Sequence, residues 1–271
     1  MSEPVNDLGD ARLADYVALN DPERRRAVER RGGYFIVEGK VAIGRLLANP
    51  RWTVRSLLLL DSLAARFGEE LQAVHAPVLV ADREVLRSVV GFDLHRGALA
   101  SVERPRAIDA AEVAGNAELL LLTEGVNDHE NLGALFRNAA AFGVDGVLLD
   151  PTTADPLYRR SVRVSMGHVL DVPFARTTAL PAGLTVVRAA GATVCALTPA
   201  PGGADVRTIG WAGLPRPIVL MVGAEGPGLS AQTRAAADLC CAIPMAPGID
   251  SLNVATAAAV VLSHVQASPV R

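Results

Sequence analysis

Along the chain, short continuous apolar runs alternate with segments whose apolar residues recur every three or four positions. That is the pattern of buried strands separated by amphipathic helices. "YFIVEG" (34–39), "VRSLLLLD" (54–61), "PVLVAD" (77–82) and "RGALASVER" (96–104) read as strands. The intervening "KVAIGRLLANP", residues 62–73 and "REVLRSVVG" read as helices, which makes a compact βαβαβαβ module. A polar, arginine-rich helical segment over residues 10–31 leads into it. The stretch "RPRAIDAAEVAGNA" (104–117) has no strong apolar period and contains Pro105 and Gly115, so a linker is expected at 105–117 between a domain over 1–104 and another over 118–271.

After the linker the alternation is strict. The strand "ELLLLTEG" is followed by a helix opening at "NDHENLGALFRN", the strand "VDGVLLD", the helix "PLYRRSVRVSMG" and a short strand near "VLDVPFA". A helix over 179–190, the strands "TVCALTP" and "PIVLMVG", the helix "SAQTRAAADL", the strand "CCAIPM" and a last helix from 254 complete the pattern. Strands separated by helices imply a parallel sheet with right-handed crossovers, so the fold class is α/β.

Composition narrows the function. The 271 residues are 50% hydrophobic but only 4% aromatic and 20% charged, and they are ample for a large core. No apolar run approaches the roughly 18 residues of a membrane span, and the N-terminus lacks a signal-peptide core. A cytoplasmic protein with no membrane partner is expected. Cys195, Cys240 and Cys241 lack zinc-ligand spacing, so reduced core thiols and no metal are expected. A net charge of −3 argues against non-specific coating of nucleic acid but leaves local patches open. Lys40 is the only lysine; arginines cluster at "PERRRAVERR" (22–31) and "YRRSVR" (158–163), either as solvated helix faces or as phosphate contacts.

The first strand of the second domain is followed by no GxGxxG, and no Walker lysine exists. Three loops at carboxyl ends of strands stand out instead, where open α/β sheets place ligands. In the first, Asn131 is expected as a helix N-cap, and Gly133 weakens the helix by roughly 1 kcal/mol relative to alanine. Arg137 stacks one turn above Gly133, so its guanidinium has a clear path to the helix start; alternatively it pairs on the surface with Glu130 or Asp128. In the second, "GAEGPGLS" (223–230), three glycines permit close ligand approach or a tight turn, and Ser230 is placed to cap the next helix. In the third, "IPMAPGIDSLNVATAAAVVL" (243–262), Ser251 and Asn253 flank Leu252, which reads as buried, before a helix of small residues.

Asn131-x-Gly133-x-x-x-Arg137, Gly223-x-Glu225-Gly226-x-Gly228-Leu229-Ser230 and Ile243-Pro244-Met245…Ser251-Leu252-Asn253-Val254 together resemble the three signature motifs of the SpoU/TrmH family, in order and at the family's approximate separation. "DPLYRRSVRVSMGHVLDVPF" resembles the segment between the first two motifs, and residues 34–102 the substrate-binding domain of many members. The resemblance implies an S-adenosylmethionine-dependent enzyme that methylates ribose 2′-hydroxyls of structured RNA. It implies a deep trefoil knot in the C-terminal domain, a smaller α/β substrate-binding domain before it, and a homodimer. Catalytic roles fall by resemblance on Arg137, Asn131, Glu225, Ser251 and Asn253. Cofactor contacts fall on Leu197, Thr198, Gly223, Glu225, Gly226, Ile243, Met245, Ser251, Leu252 and Asn253. RNA contacts are expected of Arg24, Arg25, Arg26, Arg159, Arg160 and Arg163, and ribosomal RNA is favoured over tRNA. A guanidinium is not readily deprotonated, so Arg137 is expected to position phosphate and stabilise developing charge rather than act as base.

The first motif departs from the family at His129 and Glu130, where many relatives have Pro and Gly; Glu130 brings negative charge near an RNA-facing site. A non-catalytic RNA-binding protein retaining the fold is the alternative, disfavoured by the presence of all five catalytic positions. A homodimer interface over residues 254–266 and the Arg137 helix is expected from the apolar circumference of the last helix.

Overall fold

The computed structural model describes residues 2–17, 19–20, 32–67, 71, 74–91, 97–199 and 202–267. The chain divides into two compact units: residues 1–106 with 157–170, and residues 107–156 with 171–271.

The first unit holds strands β1 (Ser2–Pro4), β2 (Tyr34–Glu38), β3 (Val54–Leu60), β4 (Val78–Ala81) and β5 (Ala98–Glu103), with helices α1 (Lys40–Ala48), α2 (Asp61–Phe67) and α3 (Arg83–Val90). They form one mixed sheet in the order β1-β4-β3-β5-β2, in which β5 runs antiparallel to both β2 and β3. Each residue of β2 is buried, which is why it reads as a continuous apolar run. Leu13, Tyr16, Ile36, Leu58, Leu79 and Leu86 lie in the core. β1 is absent from the sequence reading: three residues, Ser-Glu-Pro, pair with β4 through the backbone alone and leave no side-chain pattern. Of the helical lead-in expected over 10–31, residues 11–16 form a 3-10 helix capped by Asp10; residues 21–31 lie outside the described residues.

Residues 157–170 join this unit although they come from the middle of the second domain. Their helix, Arg159–Val164, sets Arg159 Nη1 2.6 Å from Glu38 Oε2. Trp52 Nε1 and Asn49 Nδ2 donate to the carbonyl of Leu170 at 2.9 and 3.0 Å. A side chain at Gly167 (φ +84°) would begin 2.9 Å from Ala42 Cα, so the approach requires glycine.

The second unit contains α4 (Ala110–Gly115), β6 (Leu119–Glu124), α5 (His129–Ala141), β7 (Gly146–Leu149), β8 (Phe174–Arg176), α6 (Thr185–Ala189), β9 (Thr193–Leu197), β10 (Ala204–Asp205), β11 (Ile218–Gly223), α7 (Ala231–Ala235), β12 (Leu239–Ala242) and α8 (Val254–Gln266). Its seven strands are all parallel, in the order β10-β12-β9-β11-β6-β7-β8. The runs "LLLL" and "IVLMV" of β6 and β11 are fully buried at the centre, as strands covered on both faces must be. The stretch expected to be a linker folds: Asp109 caps α4, whose Val113 and Ala114 are buried in this unit's core. β10 was not legible, being two residues long.

The start of α5 also differs from expectation. Asp128, not Asn131, is the N-cap, its Oδ1 accepting the N–H groups of Glu130 and Asn131 at 2.8 and 2.9 Å. An aspartate three residues upstream takes the cap and leaves the Asn131 side chain to be used elsewhere. The predicted stripe is otherwise present, with Leu132, Leu135, Phe136 and Ala139 buried. Gly143 at φ +65° ends the helix, the left-handed turn placing the Val144 N–H on the Ala139 carbonyl.

Candidate functional site

Three neighbouring parallel strands, β12, β9 and β11, end at one cavity of about 450 Å³. This is the carboxyl edge of the sheet, where successive loops diverge and leave a crevice. The ten residues on which the motif resemblance placed cofactor contacts, Leu197, Thr198, Gly223, Glu225, Gly226, Ile243, Met245, Ser251, Leu252 and Asn253, all line it. Pro199, Gly228, Val254 and Ala257 add to the wall. The lining is aliphatic side chains with backbone amides and a few polar side chains, the mix that binds an organic ligand of nucleoside size.

Local chemistry shapes the wall. At Gly223 an added Cβ would lie 2.1 Å from the Gly228 carbonyl carbon and 2.2 Å from the Leu229 nitrogen. The loop therefore folds back on its own strand end, closed by the Gly228 N–H donating to the Ala224 carbonyl at 2.9 Å. Gly226 and Gly228 supply the positive φ values the turn needs. Leu252 is not buried as its pattern suggests: it is 40% exposed, and it borders the cavity beside Ser251 and Asn253.

The three motifs meet at Asn253. Its Oδ1 caps α8 by accepting the N–H groups of Ala255 and Thr256 at 3.0 and 3.2 Å. Its Nδ2 donates to Asn131 Oδ1 at 2.7 Å and to Glu225 Oε1 at 2.9 Å. One amide thus fills both its donor and both its acceptor positions, joining residues from all three loops. A second amide repeats the link between helices: Asn138 Nδ2 donates to the Ala255 carbonyl at 2.7 Å. Arg137, next to Asn138 on α5, is exposed, and its side chain makes no ion pair or hydrogen bond among the described residues. The surface pairing with Glu130 or Asp128 does not form, and Asp128 is occupied as the cap.

A further acid supports this corner and escaped the sequence reading. Asp150, at the end of β7, is 4% exposed and its Oδ1 accepts the Gly125 and Thr153 N–H groups at 2.9 and 2.8 Å. Thr152 and Thr153 hydroxyls donate to it at 2.5 and 2.6 Å. Burial raises this carboxyl's pKa, but the four donors outweigh it and hold the group below the usual value. Gly125 opens the loop that leads to α5, so Asp150 fixes the approach to Asn131 and Arg137. Asp150-Pro151-Thr152-Thr153 directly after a strand was the available signal, since Asp and Thr side chains fold their own backbone and Pro starts a turn.

The arginines expected on RNA divide. Arg159 is largely buried against Glu38, and Arg163 approaches the same carboxylate at 3.6 Å, so both have partners inside the first unit. Pairing of Arg159 with a buried acid is a structural use of its charge, at variance with the expected phosphate contact. Arg160 is exposed on the same helix. Arg24, Arg25 and Arg26 lie outside the described residues.

The three cysteines are unpaired thiols; burial pushes Cys195 and Cys241 up to about 12. Among the described residues no group of His, Cys, Asp and Glu could hold a metal ion, and no helix is long and apolar enough to cross a membrane.

Comparison with known proteins agrees on one family. The SpoU rRNA Methylase family model matches residues 118–263. An uncharacterized tRNA/rRNA methyltransferase of Mycobacterium tuberculosis is 42% identical over 257 residues, 95% of this chain and 89% of that one. The 23S rRNA (guanosine-2′-O-)-methyltransferase RlmB of Ralstonia nicotianae is 33% identical over 202 residues, 72% of this chain and 79% of its own. The crystal structure of AdoMet-bound rRNA methyltransferase from Sinorhizobium meliloti matches with a TM-score of 0.83 at 26% identity, covering 98% of each chain.

Proposed function

Since the chain belongs to the SpoU rRNA methylase family of RNA methyltransferases, we propose that it methylates a ribose 2′-hydroxyl of ribosomal RNA. Its cofactor is S-adenosylmethionine, which is present in the Sinorhizobium meliloti structure. The cavity suits that group: its volume of about 450 Å³ falls within the range of ligand pockets, and the missing side chain at Gly223 leaves backbone as one wall. The cofactor supplies an activated methyl on a sulfonium. The residues that would hold it are Leu197, Thr198, Gly223, Gly226, Ile243, Met245 and Leu252.

The observation that carries the reading is the junction at Asn253, where residues of three loops meet at the mouth of the cavity. We assign Asn131, Glu225, Ser251 and Asn253 to orienting the ribose and the cofactor. In-line transfer to oxygen depends on alignment more than on acid chemistry. Arg137, exposed and without a carboxylate partner among the described residues, would bind an RNA phosphate and stabilise the charge developing on the 2′-oxygen as the methyl is transferred to it and its proton passes to water. Glu130 beside this site adds negative charge that the RNA must tolerate. The choice of ribosomal RNA rests on the name of the Ralstonia nicotianae relative.

The wider organisation follows the same reading. Residues 1–104 would bind substrate RNA and 118–271 catalyse, with α4 of the intervening stretch packed into the second unit and residues 157–170 lent to the first. The chain after β12 would thread a deep trefoil knot, as the resemblance of the three motifs implies. A homodimer over α8 and α5 would complete the RNA site in the cytoplasm.

The test is transfer of tritiated methyl groups to ribosomal RNA and to tRNA purified from cells lacking the protein. Wild-type protein is expected to label ribosomal RNA, and Arg137→Ala to bind the cofactor normally while losing on the order of 100-fold in rate. Labelling of tRNA alone, or near-normal rates in the variant, would overturn the corresponding assignment.

A further inference from the structure

Glu124 ends β6, outside the three motifs, and it is not part of the cavity wall. Its backbone pairs in register with Gly223, where the glycine-rich loop begins. Its side chain reaches the other end of that loop: Oε2 accepts the Ser230 N–H at 2.8 Å, and Oε1 accepts the Thr233 hydroxyl at 2.8 Å. One residue of the neighbouring strand therefore fixes both the entry and the exit of the loop.

The loop needs such an anchor. Gly226 and Gly228 sit at φ +87° and +66°, in regions glycine visits freely, so the sequence itself gives little preference for one shape. The cap of α7 is part of the same cluster, Ser230 Oγ lying 3.1 Å from the Thr233 nitrogen and 2.9 Å from its hydroxyl. From the loop, Glu225 leads on to Asn253 and Asn131. A carboxylate accepting two hydrogen bonds holds its partners more firmly than a neutral acceptor does.

We infer that Glu124 is a positioning residue for cofactor binding: it locks the exit of the Gly223–Ser230 loop so that the loop presents a preformed wall to the cavity. The inference rests on the assignment of that cavity to S-adenosylmethionine. Glu124 touches neither cofactor nor RNA; it acts through the loop.

Isothermal titration of the full chain with S-adenosylmethionine tests it, with Glu124→Ala and Glu124→Gln measured well below their melting temperatures. Glu124→Ala is expected to weaken binding about tenfold, the loss of hydrogen bonds to a charged group, while KM for RNA stays within about twofold. Glu124→Gln should recover most of the affinity, because its amide oxygen accepts from Ser230 while its NH₂ donates to Thr233 Oγ1. A melting temperature that falls in Glu124→Ala with cofactor affinity unchanged would make the residue merely structural and overturn the inference. If Glu124→Ala does not fold, Thr233→Val removes one of the two anchors; an affinity equal to wild type would overturn the inference, and a loss of about threefold would support it. Wild-type protein that binds no S-adenosylmethionine would instead refute the reading of the cavity.

Discussion

Asn253 does two jobs that can be separated by one atom. Its oxygen caps α8 and its NH₂ group bridges Asn131 and Glu225. Asn253→Asp keeps an acceptor for the cap, and a carboxylate is favourable at a helix N-terminus. It also sets a second acid against Glu225 and removes both donated bonds. The variant is expected to melt within a few degrees of wild type yet lose about tenfold or more in methyl transfer. A large fall in melting temperature with activity per folded molecule intact would place the role in the cap alone. At this scale the sequence carried much of the site: eight of the ten expected cavity residues lie in motifs that are specific in combination, and Leu197 and Thr198 follow from the wider resemblance. Asn131 was misread as a cap because Asn and Asp are interchangeable there, and only the register of α5 decides between Asn131 and Asp128.

Strand ends and their loops set the next scale. Gly223→Ala is expected to abolish detectable cofactor binding, because the new Cβ would meet backbone rather than a movable side chain. Unchanged affinity by calorimetry would mean the loop is not fixed as described. Asp150 makes the corresponding prediction for pH. Its folded carboxyl lies below its unfolded value near 3.9, so its contribution to stability is complete above about pH 4 and is lost as pH falls through the folded value. Asp150→Asn should lower the melting temperature at pH 7 by roughly 3–8 °C, and the gap from wild type should close toward pH 3. A gap that stays constant with pH would show that the charge is not what matters. Element types were legible wherever period or burial was strong, as in β2, β6, β11 and α5. β1 and β10 were not, because so short a strand is held by backbone pairing with a neighbour and needs no apolar side chains. The segment carrying α4 reads as a linker because its buried face is only Val113 and Ala114.

For the molecule as a whole, the boundary near residue 105 is visible in composition, but the allegiance of residues 157–170 is not. Their pattern says only that a helix forms; that Glu38 and Trp52, more than 100 residues earlier, receive it is a tertiary fact. The apolar circumference of α8 likewise has partners within the chain, since Val254 and Ala257 border the cavity and the helix packs on α5 and β11. The central claim concerns the product. A methyl group on the ribose 2′-oxygen removes the nucleophile that cleaves RNA in alkali, so a methylated site survives alkaline hydrolysis as a dinucleotide. Ribosomal RNA labelled by the wild-type protein and hydrolysed in alkali should release its tritium in alkali-resistant dinucleotides, with on the order of a hundredth as much from Arg137→Ala in the same time. Tritium recovered in single nucleotides carrying a methylated base would contradict the account.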